Sequence, residues 1–436
     1  MKENLLKELI TKNRSGQRAG LYSVCSANEL VLRSSIRHAV IHDYPLIIES
    51  TSNQVNQFGG YTGMRPHEFM AQVKKIAREE NMDEKKLILG GDHLGPLLWQ
   101  NEPEKDAMEK AVDMVKAYAA AGFGKIHLDT SMKLARDPDG PLDVRVCARR
   151  GAELAKAVYE NYASRQGQIN PSNPNSFTTE RPVLVIGSEV PIPGGSREHE
   201  DSVTPTDAGD FLKQVSIYKE EFEKAGIGFD DVIAFVVQPG VEFGDDFVYF
   251  YDPEKAAPLA AALKTVGGLV FEGHSTDYQS PNKLARLVSD GIAILKVGPA
   301  LTFALREGLF LLEAIEEILV PAASRSNVKR TLLEEMNSSK KYWEKYYSGT
   351  SGEVEYKKLY SYSDRCRYYL PADRVQNAIN VLFKNIPHIP PALLSEFFPQ
   401  QYRRYMEKQL RNDPVSVLCD RIGDVCADYA AACGFI

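Results

Sequence analysis

Residues 271–279 read F-E-G-H-S-T-D-Y-Q, and an apolar run at 268–271 leads straight into them. A strand buried under helices on both faces reads as a continuous apolar run. Here the run ends in Glu272, His274, Ser275, Thr276 and Asp277, so the strand delivers polar side chains to a rim. Two more of the eight histidines share this setting: His93 in G-G-D-H-L-G-P (90–96) and His127 in K-I-H-L-D-T-S (125–131). Strands that each carry a His or carboxylate at the C-terminal end build one kind of rim, the catalytic face of a (β/α)₈ barrel.

Working outward, eight apolar runs alternate with helix-length segments of 3.6-residue periodicity. The strands are expected at 20–26, 45–51, 86–93, 125–131, 182–190, 231–239, 268–275 and 291–298. The helices follow at 28–42, 66–80, 104–121, 144–162, 207–225, 253–265, 282–290 and 300–319, after an opening helix at 2–13. The expectation is a TIM barrel over 1–320 with an N-terminal helix, followed by a helical C-terminal extension over 321–436. A doubly wound open sheet is the weaker alternative. Residues 163–181, rich in Asn, Ser and Pro, read as a mobile surface insertion.

The 436 residues suffice for a barrel of about 250–300 residues plus an appendage. A net charge of −7 gives no reason to expect nucleic-acid binding. No apolar stretch reaches membrane-spanning length, and M-K-E-N-L-L-K-E-L-I reads as an amphipathic helix rather than a signal peptide, so a cytoplasmic protein is expected. Among six cysteines there is no C-x-x-C, and Cys419, Cys426 and Cys433, spaced by seven, read as packed core; Cys25 ends a strand. The aromatic and basic runs K-K-Y-W-E-K-Y-Y (340–347) and Y-S-D-R-C-R-Y-Y (362–369) suit a helical extension that packs on the barrel or contributes an interface with a partner or a second copy.

Imidazoles and carboxylates converging on one rim can hold a divalent ion, and a catalytic Zn²⁺ takes about three protein ligands. His93 and His274 end non-adjacent strands and are the first two candidates. Glu189 is the preferred third, with Gln238 and Asp129 behind it. Zinc is the expected ion, with Mn, Co or Ni as alternatives. His127 shares a strand face with Asp129 and either points into the site or fills a barrel layer. Asp92 precedes His93 and faces the other way if the strand stays regular. Asp92, Asp129 and Glu189 are the carboxylates available for proton transfer. Gln54 in the amide-rich loop 52–63, Ser131, Asp277, Lys296 and Gly298 are the candidate substrate contacts.

Seven stretches resemble the Z-type subunit family of class II D-tagatose-1,6-bisphosphate aldolase across the whole chain. They are E-S-T-S-N-Q-V-N-Q-F-G-G-Y-T-G (49–63), G-G-D-H-L-G-P, K-I-H-L-D-T-S, G-S-E-V-P-I-P-G-G (187–195), V-V-Q-P-G-V-E-F (236–243), G-H-S-T-D-Y-Q (273–279) and L-K-V-G-P-A-L-T-F-A (295–304). The resemblance implies a class II aldolase barrel, a ketohexose or ketohexose phosphate as substrate, a Y-type class II aldolase subunit as partner, and a homo-oligomer. It also implies a non-catalytic supporting role. Class II aldolases carry an Asp-His pair in which the Asp moves protons and the His binds zinc, and Asp92-His93 matches it. A second aldolase ligand matches His274. The remaining aldolase histidine falls at or near Gln238, and an amide is a poor zinc ligand. The strand-eight segment at 296–298 resembles the approach to a phosphate site, where backbone N–H groups at a helix start near Ala300 would meet the anion.

Two function classes follow. One is a supporting subunit. The other is an autonomous metal enzyme, a ketohexose (phosphate) 4-epimerase that opens and re-forms the C3–C4 bond. A kinase is disfavoured, since no G-x-x-x-x-G-K-[ST] loop exists.

Overall fold

A computed structural model describes residues 4–165, 181–187 and 203–436. Eight parallel strands close into a barrel: β1 (Leu21–Cys25), β2 (Leu46–Thr51), β3 (Leu87–Leu94), β4 (Lys125–Leu128), β5 (Val183–Ile186), β6 (Val232–Val237), β9 (Val270–Gly273) and β10 (Ile292–Val297). They pair in that order, and β10 returns to β1. Between β6 and β9 the chain makes a short antiparallel hairpin of β7 (Glu242–Phe243) and β8 (Val248–Tyr249), which no periodicity announced.

The expected helices are α1 (Leu5–Arg14), α2 (Glu29–Ile41), α3 (Pro66–Glu79), α4 (Glu104–Ala121), α5 (Val144–Arg165), α6 (Ala208–Lys224), α7 (Pro253–Thr265), α8 (Pro281–Ser289) and α9 (Pro299–Leu319). Helix starts carry capping oxygens: Asn28 caps α2, Asp207 caps α6 and Asp252 caps α7, each accepting from two backbone N–H groups of the first turn. The stretch 163–181, expected as a mobile surface insertion, lies mostly outside the described residues.

Strand alternation sorts the barrel. Leu46, Ile48, Phe271 and Leu295 face the helices, and Ile47, Val185, Val270 and Ile294 form an inner cluster. Leu6 and Ile10 of α1 join that inner cluster and close the N-terminal end. Two residues further along the same inward faces, Ile47 gives way to Glu49, Val270 to Glu272 and Ile294 to Lys296. The barrel is therefore apolar at the bottom and charged at the top.

The extension adds α10 (Val328–Ser338), α11 (Ser351–Tyr360), α12 (Asp373–Asn385), α13 (Pro391–Phe397), α14 (Pro399–Met406) and α15 (Pro414–Cys433). Chain order puts it after residue 320, but it packs back onto the barrel. Helix α15 lies against α2, α8 and α9 and touches β1. Cys419, Cys426 and Cys433 are buried, free thiols in that contact, as their spacing predicts. The segment after α11 reaches the C-terminal rim, where the Tyr278 hydroxyl donates to the Tyr362 carbonyl (2.6 Å) and the Tyr362 N–H to the Asp245 carbonyl (2.7 Å). Much of the aromatic run is used internally: Trp343 and Tyr347 are buried, and Tyr342 stacks on Tyr368 at 4.8 Å.

Candidate active site

The floor of the rim is a charge network. Lys125 Nζ lies 2.6 Å from Glu49 Oε1 and 2.6 Å from Glu272 Oε2, all three residues fully buried. Lys296 Nζ pairs with Glu49 and stands 2.8 Å from Asp92 Oδ1. Buried charges persist only when compensated, and here each ion has at least one opposite partner. A Cβ on Gly90 would lie 2.6 Å from Glu49 Cγ, so Gly90 leaves room for that carboxylate. Burial would raise the Glu272 pKa, but Lys125 and His274 outweigh it and hold it at about 2. Burial pushes Lys296 down to about 8.

Above the floor sit three imidazoles, with ring centroids 4.9–5.2 Å apart. Regular alternation would send Asp92 and His93 to opposite faces. Instead His93 adopts φ +49°, and the pairing with β4 jumps between Gly91 and Leu94. Both side chains then line the same cavity. Ser275 (φ +53°) and Tyr278 (φ +64°) make similar left-handed turns beyond β9, a clustering of backbone strain typical of working sites.

Each histidine has a carboxylate. His127 Nδ1 lies 2.8 Å from Asp92 Oδ1, His93 Nδ1 lies 2.8 Å from Asp129 Oδ2, and His274 Nε2 lies 3.1 Å from Glu272 Oε1. Burial would lower the His93 pKa, but Asp92 and Asp129 together lift it to about 9. Asp129 is held near 2, its burial outweighed by His93, and Ser131 fixes it through N–H (3.1 Å) and Oγ (2.6 Å). Asp92, despite burial, is held far below the usual carboxylate range by His93, His127 and His274. Burial lowers His274.

These donors suit a cation. One ligand atom from each of Asp92, His127, Glu272 and His274 falls within 4.8 Å of the others. An ionised Asp92 can only accept, so a neutral His127 facing it carries its proton on Nδ1 and its lone pair on Nε2; the His93 N–H, 3.1 Å from Asp92 Oδ1, also comes within 3.2 Å of that Nδ1. That Nε2 is buried with no hydrogen-bond partner. A buried orphan nitrogen beside two carboxylates and a second imidazole fits Zn²⁺, Mn²⁺, Co²⁺ or Ni²⁺. Of the expected ligands, His274 belongs to this group. His93 stands beside it, held by Asp129. Gln238 is corrected: its Oε1 accepts the N–H groups of Gly240 (2.8 Å) and Val241 (3.0 Å), building its own turn instead of reaching the cavity. Glu189 lies outside the described residues. Cys25 lines the cavity, where burial lifts its thiol to about 12, and its sulfur falls within 4.8 Å of ligand atoms of Glu49 and Asp92.

The expected phosphate contact is also corrected. Asp277 Oδ1 accepts the N–H groups of Gly298 (3.0 Å) and Ala300 (2.8 Å), so the start of α9 already holds a carboxylate. Burial raises Asp277 to about 6 against those two bonds. Gln54, Asp277, Lys296 and Gly298 all line the cavity, while Ser131 acts through Asp129. Lys125 and the extension's Arg367 and Tyr368 were missed. Lys125 was findable, being two residues before His127 on one strand face. Arg367 carries no periodic signal that could have put it there.

The family model described as D-tagatose-1,6-bisphosphate aldolase subunit GatZ/KbaZ-like matches residues 6–434. This chain belongs to that family. A solved structure described as a tagatose 6 phosphate kinase from Sinorhizobium meliloti 1021 is 38% identical, with TM-score 0.85, covering 95% of this chain and all (100%) of its own. The YdjI aldolase from Escherichia coli K12 matches at 11% identity and TM-score 0.41, over 84% of this chain and 95% of its own. Fructose-bisphosphate aldolase from Campylobacter jejuni matches at 12% and 0.43, over 87% and 91%. Among the described residues no helix is long and apolar enough to cross a membrane.

Proposed function

We propose that this member of the GatZ/KbaZ-like family is itself a metal-dependent enzyme that inverts C4 of a ketohexose or ketohexose phosphate by retro-aldol cleavage and re-addition. The observation that carries this reading is the buried, unpartnered Nε2 of His127 beside Asp92, Glu272 and His274, of which Asp92 and His274 line the cavity. A supporting subunit has no need of such a nitrogen. Glu189, three residues past β5 in sequence, is a further proposed donor. A bound divalent ion supplies Lewis acidity that stabilises negative charge developing on the sugar's oxygens.

The chain's own groups do the rest. Asp92 Oδ1 is held by His127 and Lys296, while Oδ2 has only longer contacts, to His93 Nε2 (3.7 Å) and the Cys25 thiol (3.9 Å). Oδ2 therefore takes the proton from the C4 hydroxyl. The C4 oxygen's electrons form a carbonyl, the C3–C4 bond breaks, and its pair goes to an enediolate half. Tyr61, Phe243 and Tyr368 line the cavity beside both halves. The aldehyde turns, the enediolate attacks its other face, and Asp92 returns the proton. Asp129 keeps His93 in place rather than acting as a second base. The test is incubation of the metal-loaded protein alone with tagatose, fructose and their 6-phosphates, with NMR detection of the C4 epimer. Product that vanishes in His274→Ala and Asp92→Asn supports the reading, and no turnover of any of them rejects it.

The second reading is a supporting subunit for a Y-type class II aldolase, favoured by the family's description as an aldolase subunit. Co-purification with a Y-type chain, and a gain in that chain's stability, would support it. A homo-oligomer is proposed under either reading. Phosphoryl transfer is not proposed, for want of a phosphate-binding loop.

A further inference from the structure

The start of α9 is closed to a second anion, because Asp277 already takes the Gly298 and Ala300 N–H groups. An arriving phosphate or carboxylate would have to displace a like charge. Among the described residues, two Lys or Arg side chains line the cavity, Lys296 and Arg367. Lys296 is committed to Glu49 and Asp92. Arg367 is different. Its NH1 donates to the Ser363 (2.5 Å) and Asp364 (3.0 Å) carbonyls and its NH2 to the Tyr368 hydroxyl (3.0 Å), and among the described residues no carboxylate comes within salt-bridge distance.

The adjacent acid is not its counter-ion. Asp364 Oδ1 accepts from Arg306 Nε (3.0 Å) and Oδ2 from Thr302 Oγ1 (2.6 Å), both on α9. These bonds clamp the left-handed turn at Asp364 (φ +44°) to the barrel, and the next turn carries Arg367 to the cavity. Asp277 feels the Arg367 charge, yet its recorded bonds run to the α9 backbone. A guanidinium presents five N–H donors in a rigid fork, and three hydrogen bonds engage Arg367's. Asp364 and the neighbouring tyrosines favour its charged form, yet none of these bonds goes to a carboxylate, so a partly buried, preorganised guanidinium keeps donors for a bidentate oxyanion.

We infer that Arg367, carried in by the C-terminal extension, is the anion-recognising residue of this cavity and takes the terminal phosphate or carboxylate of an open-chain ketose. The inference rests on the proposed ketose substrate but not on turnover. It also gives the extension a part in substrate choice.

Calorimetric titration tests it without requiring turnover, using wild type, Arg367→Gln and Arg367→Lys with D-tagatose, D-tagatose 6-phosphate and D-tagaturonate as probes. Wild type is expected to bind one of the two anionic ketoses at least about tenfold more tightly than D-tagatose. Arg367→Gln loses that advantage while keeping its affinity for D-tagatose, and Arg367→Lys keeps part of it. Which anionic probe shows the Arg367-dependent gain separates phosphate from carboxylate. The inference is overturned if wild type does not favour either anion, or if Arg367→Gln discriminates as wild type does. Discrimination lost in Arg367→Gln, in a protein that turns nothing over, would uphold the subsite and reject the epimerase.

Discussion

Asp129 Oδ2 lies 2.8 Å from His93 Nδ1, and both side chains are buried. A carboxylate on one ring nitrogen fixes the tautomer and leaves the other nitrogen directed elsewhere. Asp129 is off the cavity wall while His93 is on it, so the acid acts through the ring. Asp129→Asn is expected to lower epimerisation by about 10–100-fold. Bound metal, measured by elemental analysis, should stay within about twofold of wild type, since Asp129 is outside the donor group. Loss of metal in step with activity would make Asp129 a ligand instead.

The donor group predicts what metal removal does. Wild type should carry about one divalent ion per chain, and His127→Gln should bind it at least about tenfold more weakly. A ligand that binds only the folded state raises Tm, so chelation should lower Tm in wild type and hardly change it in His127→Gln. Equal response of the two proteins to chelator would remove His127 from the site.

Most of the fold was legible because a barrel strand covered by helices repeats one pattern, and all eight strands show it. The rim was legible as far as two-residue alternation holds. That rule follows Val270 to Glu272 and Lys125 to His127, and it fails at His93, where a left-handed residue turns Asp92 and His93 to one side. No local propensity marks that break. Gln238 was misread because an amide at a strand end serves its own turn as readily as a ligand, and only geometry separates the two. Arg367 was invisible because it comes from a segment more than sixty residues past the last strand, placed by the Asp364 contacts to Arg306 and Thr302.

Glu242 gives a pH test clear of the donor group. Burial lifts its pKa from 4.5 to about 7, with only partial opposition from the Phe243 N–H and Ser275. The folded state thus holds the proton more tightly than the unfolded chain. Its contribution is complete below about pH 4.5, declines as pH rises towards about 7, and is then gone. The decline is about 3 kcal/mol at most. Tm of wild type should therefore fall more between pH 5 and pH 8 than Tm of Glu242→Gln. Parallel curves for the two proteins would show that Glu242 titrates normally.

The last prediction concerns how α15 seals the barrel. Gly308 on α9 faces Leu418 on α15, and a Cβ at Gly308 would collide with Leu418 Cδ2. Leu418 is fully buried, so it cannot swing into solvent. Gly308→Ala gains about 1 kcal/mol in helix propensity but forces overpacking that costs about 1–3 kcal/mol, so the net effect is destabilising. Leu418→Ala opens a cavity and costs about 2–5 kcal/mol. In the double variant the new methyl enters the space that Leu418 leaves, and the overpacking term disappears. Its loss of stability should therefore be smaller than the sum of the two single losses by about 1 kcal/mol or more. Thermal melts of the four proteins measure this, and strict additivity would show that α9 and α15 do not meet at these residues.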